Sequence, residues 1–311
     1  MAQHLIHVGY PKTGSTFLQA WFERHPELRY APGGLGGFRN VYEVARPPER
    51  AYKYYVTSFE GLSTPHESAG GVRLDFGGAT PVREDPVKEN QAAVCSVLGS
   101  LYPGSRVLIV TRGFKGMIIS AYSQSVRMGA RLHLKEMCRE LAERLRIDDY
   151  HYYDFDYFVR LYGAAFGEGN LIVMPYELLR DDQDGFLAVL EERLGIAHAE
   201  VKVGRVNESL SPEELYWYPV ISRAVSAAAS RLGAARFQKI YGWYVGKTLG
   251  NRLRPFIKLL RFVWPDRKIT GADFPDDILN YCEGKATLLK GHPMYTSYAA
   301  EYLWDDEHAR S

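Results

Sequence analysis

Residues 4–22 join a short apolar run, a loop broken by glycine and proline, and an apolar helical pattern. Leu5, Ile6 and Val8 predict a strand, Gly9, Pro11 and Gly14 a tight loop, and Phe17, Leu18, Trp21 and Phe22 a helix to about His25. A strand that feeds a helix N-terminus through such a loop is the strongest constraint in the chain. It sets unpaired N–H groups and the positive end of a helix dipole at a strand end, which is a cradle for an anion. Lys12 adds a full charge, and Thr13, Ser15 and Thr16 add hydroxyl groups.

Gly9-x4-Gly14-Ser15-Thr16 comes close to the loop of nucleoside-triphosphate enzymes, Gly-x4-Gly-Lys-Ser/Thr. It departs at the lysine. Ser15 stands where that lysine belongs, and Lys12 stands three residues earlier. A second apolar run, Arg106 to Thr111, ends on Arg112, where a triphosphatase would want an acidic magnesium ligand. The residues therefore favour a phosphate ester handled without a metal.

The rest of the chain repeats the strand–helix alternation. Strands are predicted at 55–59, 106–112 and 170–175, the middle one a continuous apolar run of the kind buried in a parallel sheet. Helices are predicted from about Glu49, and over 85–101, 113–127, 132–146, 150–166, 184–194, 207–265 and 276–290. Residues 31–50 and 60–84 read as irregular. The expected fold is α/β: a P-loop-like central parallel β-sheet flanked by helices, with a helical C-terminal part. One domain over 1–311 is expected, with an α/β ligand-binding core at 1–200 and a helical segment at 205–311.

Composition removes several classes. A net charge of +1 does not suit a nucleic-acid polycation. Cys95, Cys138 and Cys282 are odd in number and far apart, so they form neither a disulfide framework nor a zinc pattern. No signal peptide and no membrane-spanning run is evident, so a cytoplasmic protein is expected.

Tyr10-Pro-Lys-Thr-Gly-Ser-Thr16 resembles the 5′-phosphosulfate loop of the sulfotransferases that use 3′-phosphoadenosine 5′-phosphosulfate, PAPS. Arg112 with Ser120 eight residues on resembles the pair that holds the 3′-phosphate in that family. Val173-Met-Pro-Tyr-Glu-Leu-Leu resembles its Tyr-Glu-x-Leu segment, with Tyr176 beside the adenine. Asn207-Glu-Ser-Leu210 is similar to a segment of bacterial members, with Arg205 before it. The Gly-rich, lysine-bearing loop of the animal cytosolic enzymes is not found. The resemblance implies a PAPS-binding set of Pro11, Lys12, Thr13, Gly14, Ser15, Thr16, Arg112, Ser120, Tyr176 and Arg205. The implied donor is PAPS, the product is PAP (3′,5′-adenosine bisphosphate), and no metal takes part. Lys12 and the loop N–H groups would stabilise the leaving phosphate, with Ser120 restraining Lys12.

The general base is less marked. Where one branch of the family keeps a histidine, this chain has Asn90 beside Glu89. Glu60, after the strand at 55–59, resembles the glutamate of a Ser-Ser-Glu-x-Leu segment, with His66 as the alternative and Glu67 next to it. The acceptor is left open as a small molecule, a carbohydrate or a lipid. No acidic residue lies between Glu214 and Asp266, while arginines, lysines and aromatics interleave over 231–264. That segment suits a lid, a homodimer face or a peripheral membrane contact. The rival readings are a P-loop small-molecule kinase and a non-catalytic nucleotide-binding or membrane-interacting module.

Overall fold

The structure is a computed structural model, and it describes residues 3–34, 36–45, 50–63, 87–146, 153–201, 203 and 209–304. Among the described residues, five strands form one sheet: β1 (Gln3–Gly9), β2 (Leu28–Arg29), β3 (Tyr54–Phe59), β4 (Arg106–Thr111) and β5 (Leu171–Pro175). Their order is β2-β3-β1-β4-β5, and every pair is parallel. The helices are α1 (Ser15–Arg24), α2 (Val41–Val44), α3 (Val87–Leu101), α4 (Phe114–Arg127), α5 (Leu134–Arg146), α6 (Phe155–Phe166), α7 (Tyr176–Asp181), α8 (Gln183–Leu194), α9 (Pro212–Ser230), α10 (Ala234–Leu249), α11 (Arg254–Val263) and α12 (Asp276–Cys282).

Successive strand residues point to opposite faces, and both faces are buried. Leu5, Leu108, Val110, Ile172 and Met174 pack with Leu18, Trp21 and Phe22 of α1 and Phe186, Leu190 and Leu194 of α8. Ile6, Val8, Val107 and Ile109 pack with Phe114, Ile118 and Tyr122 of α4 and with Phe158 and Tyr162 of α6. Leu215, Tyr218, Ile257 and Ile278 extend this second cluster into the C-terminal helices. The fold is thus the expected α/β arrangement.

Element boundaries differ from the sequence-based ones where local chemistry intervenes. Asn40 caps the four-residue α2, its side chain accepting from the Tyr42 and Glu43 amides, inside a stretch read as irregular. Glu49 lies outside the described residues, and Ala51–Lys53 lead into β3 rather than forming a helix. The long pattern over 207–265 divides into three helices at Gly233 and at Asn251, both with positive φ. The helix expected to reach 290 stops at Cys282, because Gly284 takes φ 75°. α6 starts at Phe155 rather than near 150, since Asp154 accepts from the Tyr157 amide at 2.9 Å.

Beneath the first loop, His7 on β1 is fully buried, with Nδ1 2.7 Å from Ser58 Oγ. Burial pushes its pKa from 6.5 down to about 3. The unfolded chain therefore binds a proton between pH 6.5 and about 3 that the folded chain does not. This contribution is present above pH 6.5 and lost as pH falls, at about 1.4 kcal/mol per unit. Urea unfolding at pH 7 and pH 5 is expected to show that slope, and a His7→Asn variant should flatten it by one histidine.

Candidate active site

Register brings the site residues to one edge. Val8 pairs with Phe59, Gly9 with Val110, and Thr111 with Pro175. The four strands therefore end level. The next residues along the chain are Tyr10, Glu60, Arg112 and Tyr176. In an open parallel sheet the crevice at the carboxyl ends, beside the strand where the order reverses, is the place for a ligand. Here β1 is flanked by β3 on one side and β4 on the other.

The loop from β1 to α1 is bent by two left-handed residues, Lys12 at φ 71° and Gly14 at φ 83°. Gly14 is the N-cap of α1, and its carbonyl accepts from the Phe17 and Leu18 amides at 2.9 and 3.1 Å. A Cβ on Gly14 would lie 2.7 Å from Leu179 Cδ2 and 3.4 Å from the Tyr176 ring, so this position needs glycine twice over. Left-handed turns of this kind line up successive N–H groups into an anion-binding hollow. Among the described residues, the Thr13, Gly14, Ser15 and Thr16 amides have no acceptor. Ser15 is 2% exposed and its Oγ is buried without a partner. That atom lies close to Gly9, where an added Cβ would sit 2.6 Å away. An anion in the hollow would supply the missing partners.

The Thr13 side chain does something else. Its Oγ1 donates to the Tyr10 carbonyl at 2.7 Å, so its hydroxyl proton holds the loop and is not offered outward. Thr16 is exposed on the first turn of α1, and Pro11 is half-buried in the loop.

Arg112 faces this loop from the end of β4. Its Nη1 donates to the Lys12 carbonyl at 2.6 Å, and its guanidinium lies 4.4 Å over the Tyr176 ring. Tyr176 is wedged between Arg112 and Gly14. Arg112 Nε is buried with no partner, beside Gly116, where a Cβ would stand 3.3 Å from it. Ser120 is one helical turn beyond Gly116, so it shares that face of α4. The glycine is thus a seat for the guanidinium, which the sequence pattern did not mark.

Three cations and one carboxylate meet around the loop. Burial lowers the Lys12 pKa, Glu60 opposes that, and Arg112 and Arg127 add to it. Glu60 begins a short 3-10 turn after β3 and is half-buried. The turn is tied to the loop's strand, since Ser63 Oγ donates to the Gly9 carbonyl at 2.8 Å and Gln91 Nε2 to the Ser63 carbonyl at 2.7 Å. Arg127 was missed in the sequence. It lies seven residues after Ser120, two turns along the same helix face, and that spacing was the available signal.

A buried polar brace under Arg112 was also missed. Glu177 accepts from the Gly113 amide at 2.9 Å and from Tyr302 Oη at 3.1 Å. Burial raises the Glu177 pKa, and its hydrogen bonds pull it back. Thr111 Oγ1 is 2.8 Å from Tyr295 Oη and 2.9 Å from Tyr302 Oη. The C-terminal segment Pro293–Tyr302 thereby fixes the β4 end that aims Arg112. Gly113 admits it closely, because a Cβ there would meet the Glu301 carbonyl oxygen at 2.8 Å.

Lys12, Ser15, Glu60, Arg112 and Tyr176 are therefore brought to the same sheet edge, with Ser120 on the adjoining helix. His66, Glu67 and Arg205 lie outside the described residues.

No protein-family model matches the chain, and no curated protein matches it. Solved structures similar to it include two sulfotransferases. One is a sulfotransferase from Alicyclobacillus acidocaldarius, with 17% identity and a TM-score of 0.42, over 78% of this chain and 96% of that one. The other is the mouse sulfotransferase SULT7A1 complexed with PAP, with 14% identity and a TM-score of 0.35, over 71% of this chain and 63% of the mouse chain.

Proposed function

We propose that this chain is a sulfotransferase that moves a sulfuryl group from PAPS to a hydroxyl or amine of a small acceptor. The observation that carries the reading is a pair of unpartnered buried polar atoms at the ends of two neighbouring strands, Ser15 Oγ beside Gly9 of β1 and Arg112 Nε just past β4. Two anchoring points suit a donor with two phosphates better than a single phosphate. The end of β4 carries Thr111 and Arg112, and Thr111 is taken up by the two tyrosines, so the place of a magnesium ligand is filled by other chemistry.

When bound, PAPS supplies a sulfuryl group joined to a 5′-phosphate leaving group. The Gly14, Ser15 and Thr16 amides and Ser15 Oγ would hold that 5′-phosphate, with the dipole of α1 behind them. Lys12 supplies the positive charge that steadies the oxygen on which charge develops, a fixed electrostatic aid already in place before reaction. Arg112 and Ser120 would hold the 3′-phosphate, the guanidinium offering its planar fork of donors. Tyr176 stacks on Arg112 and presents its remaining surface to the base. Glu60, near Lys12 but on the neighbouring strand end, would take the acceptor proton. The helical part after residue 205 is assigned to the acceptor side, because α9 and α10 pack on α4, the helix that carries Ser120.

Calorimetry with 3′,5′-adenosine bisphosphate and with ATP–Mg²⁺ tests the donor. Tight binding of the bisphosphate without metal is expected; preference for ATP–Mg²⁺ would sink the proposal in favour of a kinase. Transfer from labelled PAPS to a panel of phenols, sugars, lipids and amines then separates an enzyme from a binding module. Glu60→Gln is expected to lower transfer by about 10²–10⁴, the usual size of a general-base contribution, with bisphosphate affinity unchanged. Turnover within a few-fold of the parent would remove Glu60 from that role.

A further inference from the structure

We propose that the outer face of α10 and α11 docks on the surface of an anionic lipid bilayer. The proposal is independent of the transfer chemistry above.

The pattern of α11 is the first observation. Ile257 is buried, and Leu253 and Leu260 pack beside it against the core. One face of the helix is thereby satisfied. A second apolar face remains: Phe262 is 87% exposed and Leu259 60%, with Phe256 and Val263 about half exposed. At 100° per residue these four positions form a continuous arc on the side away from Ile257. Trp264 at the end of the helix is exposed as well. On α10, Tyr244 and Thr248 are buried, while Trp243 is 65% exposed. Lys247 lies over the Trp243 ring at 5.2 Å. Large exposed apolar side chains grouped in this way mark an interaction surface.

Charge identifies the partner. The two acids at the start of α9 hold the inner cations: Glu214 takes Arg254 at 3.0 Å, and Glu213 takes Arg261 at 3.3 Å. Arg231, Arg236, Lys239 and Lys258 are exposed and have no acidic partner among the described residues. The sequence between Glu214 and Asp266 holds nine cations and no acid. A second copy docked through this face about a two-fold axis would set cations against cations. An anionic surface neutralises them, and exposed aromatic and aliphatic side chains beside lysine and arginine are the pattern that lies at a bilayer interface. No helix of the described residues is long and apolar enough to cross a membrane.

The face is also mechanically joined to the candidate site. Tyr241 of α10 donates to the Gly129 carbonyl just past α4, the helix of Ser120 and Arg127.

Co-sedimentation of the full chain with vesicles tests the proposal. Phosphatidylcholine vesicles containing phosphatidylglycerol are expected to bind it at least about tenfold more tightly than phosphatidylcholine alone, and added salt should weaken the binding. Leu259→Ser with Phe262→Ser should weaken it by about tenfold or more, and Lys239→Glu with Lys258→Glu by a similar factor. All four side chains are exposed, so circular dichroism should match the parent. Binding that does not depend on phosphatidylglycerol overturns the proposal. So does a dimer, seen by light scattering, that the Leu259→Ser, Phe262→Ser variant converts to monomer, because the face would then belong to a second copy.

Discussion

Replacement of Lys12 by methionine is expected to lower the rate of transfer from PAPS by about 10²–10³, the usual cost of removing one preorganised group from a developing oxyanion. Methionine keeps the length of the side chain and removes its charge. The loop should survive, since its shape is held by other contacts: Thr13 Oγ1 on the Tyr10 carbonyl, the Gly14 cap on α1, and Arg112 on the Lys12 backbone carbonyl. The effect should therefore fall on the rate more than on affinity. Calorimetric affinity for the bisphosphate product should change by only about tenfold or less, since the amides and Arg112 remain. A Lys12→Met enzyme with near-parent turnover would show that the loop only binds. The half-buried, cation-rich setting of Lys12 supports the larger loss, because its charge is screened less by water than on an open surface.

Arg112→Lys is the second large effect, and it has the opposite signature. The charge is kept, but the planar fork and the stack on Tyr176 at 4.4 Å are lost. The hydrogen bond to the Lys12 carbonyl is lost with them, so one loop contact loosens as well. Bisphosphate affinity is expected to fall by about 10–100-fold, corresponding to about one charge-assisted hydrogen bond at roughly 1.5–3 kcal/mol. The comparison that isolates the 3′-phosphate is adenosine 5′-phosphate. Its affinity should change much less between the parent and Arg112→Lys. An equal loss for both nucleotides would place Arg112 on the loop side alone, as a brace for Lys12.

The two substitutions also separate the halves of the site. Lys12 acts from the β1 loop and Arg112 from the β4 end, and the bond between Arg112 Nη1 and the Lys12 carbonyl links them directly. Loss of Arg112 therefore has a path to Lys12, whereas loss of the Lys12 ammonium leaves the backbone carbonyl in place.

Much of this was legible in the chain. Leu5-Ile6-His7-Val8 and Val107-Leu108-Ile109-Val110 had to be central strands, because they alternate between two buried faces. The loop of Lys12, Gly14 and Ser15 was legible as a strand-to-helix turn, from its glycines and the apolar runs on either side. Arg112 and Ser120 were a spacing, an arginine just past a strand and a serine eight residues on in the helix that follows. The sequence did not show what seats Arg112. Gly116, Glu177 and Tyr302 are far apart along the chain, and each is an unremarkable residue in its own neighbourhood. Short elements escaped for a related reason: α2 depends on one asparagine cap, and β2 on two residues finding β3.

By itself, the amino-acid sequence determined the parallel sheet and the glycine-bent, lysine-bearing loop after its first strand, because periodicity, glycine placement and charge are local properties of a chain. The tertiary structure decided which strand ends stand level. The β2-β3-β1-β4-β5 order and its register set Glu60, Arg112 and Tyr176 around the Lys12 loop. The same packing left one side of α11 buried and the other, with Phe262 and Leu259, facing water. Both outcomes are non-local: pairing register and the choice of which apolar arc meets the core depend on contacts between residues far apart in sequence.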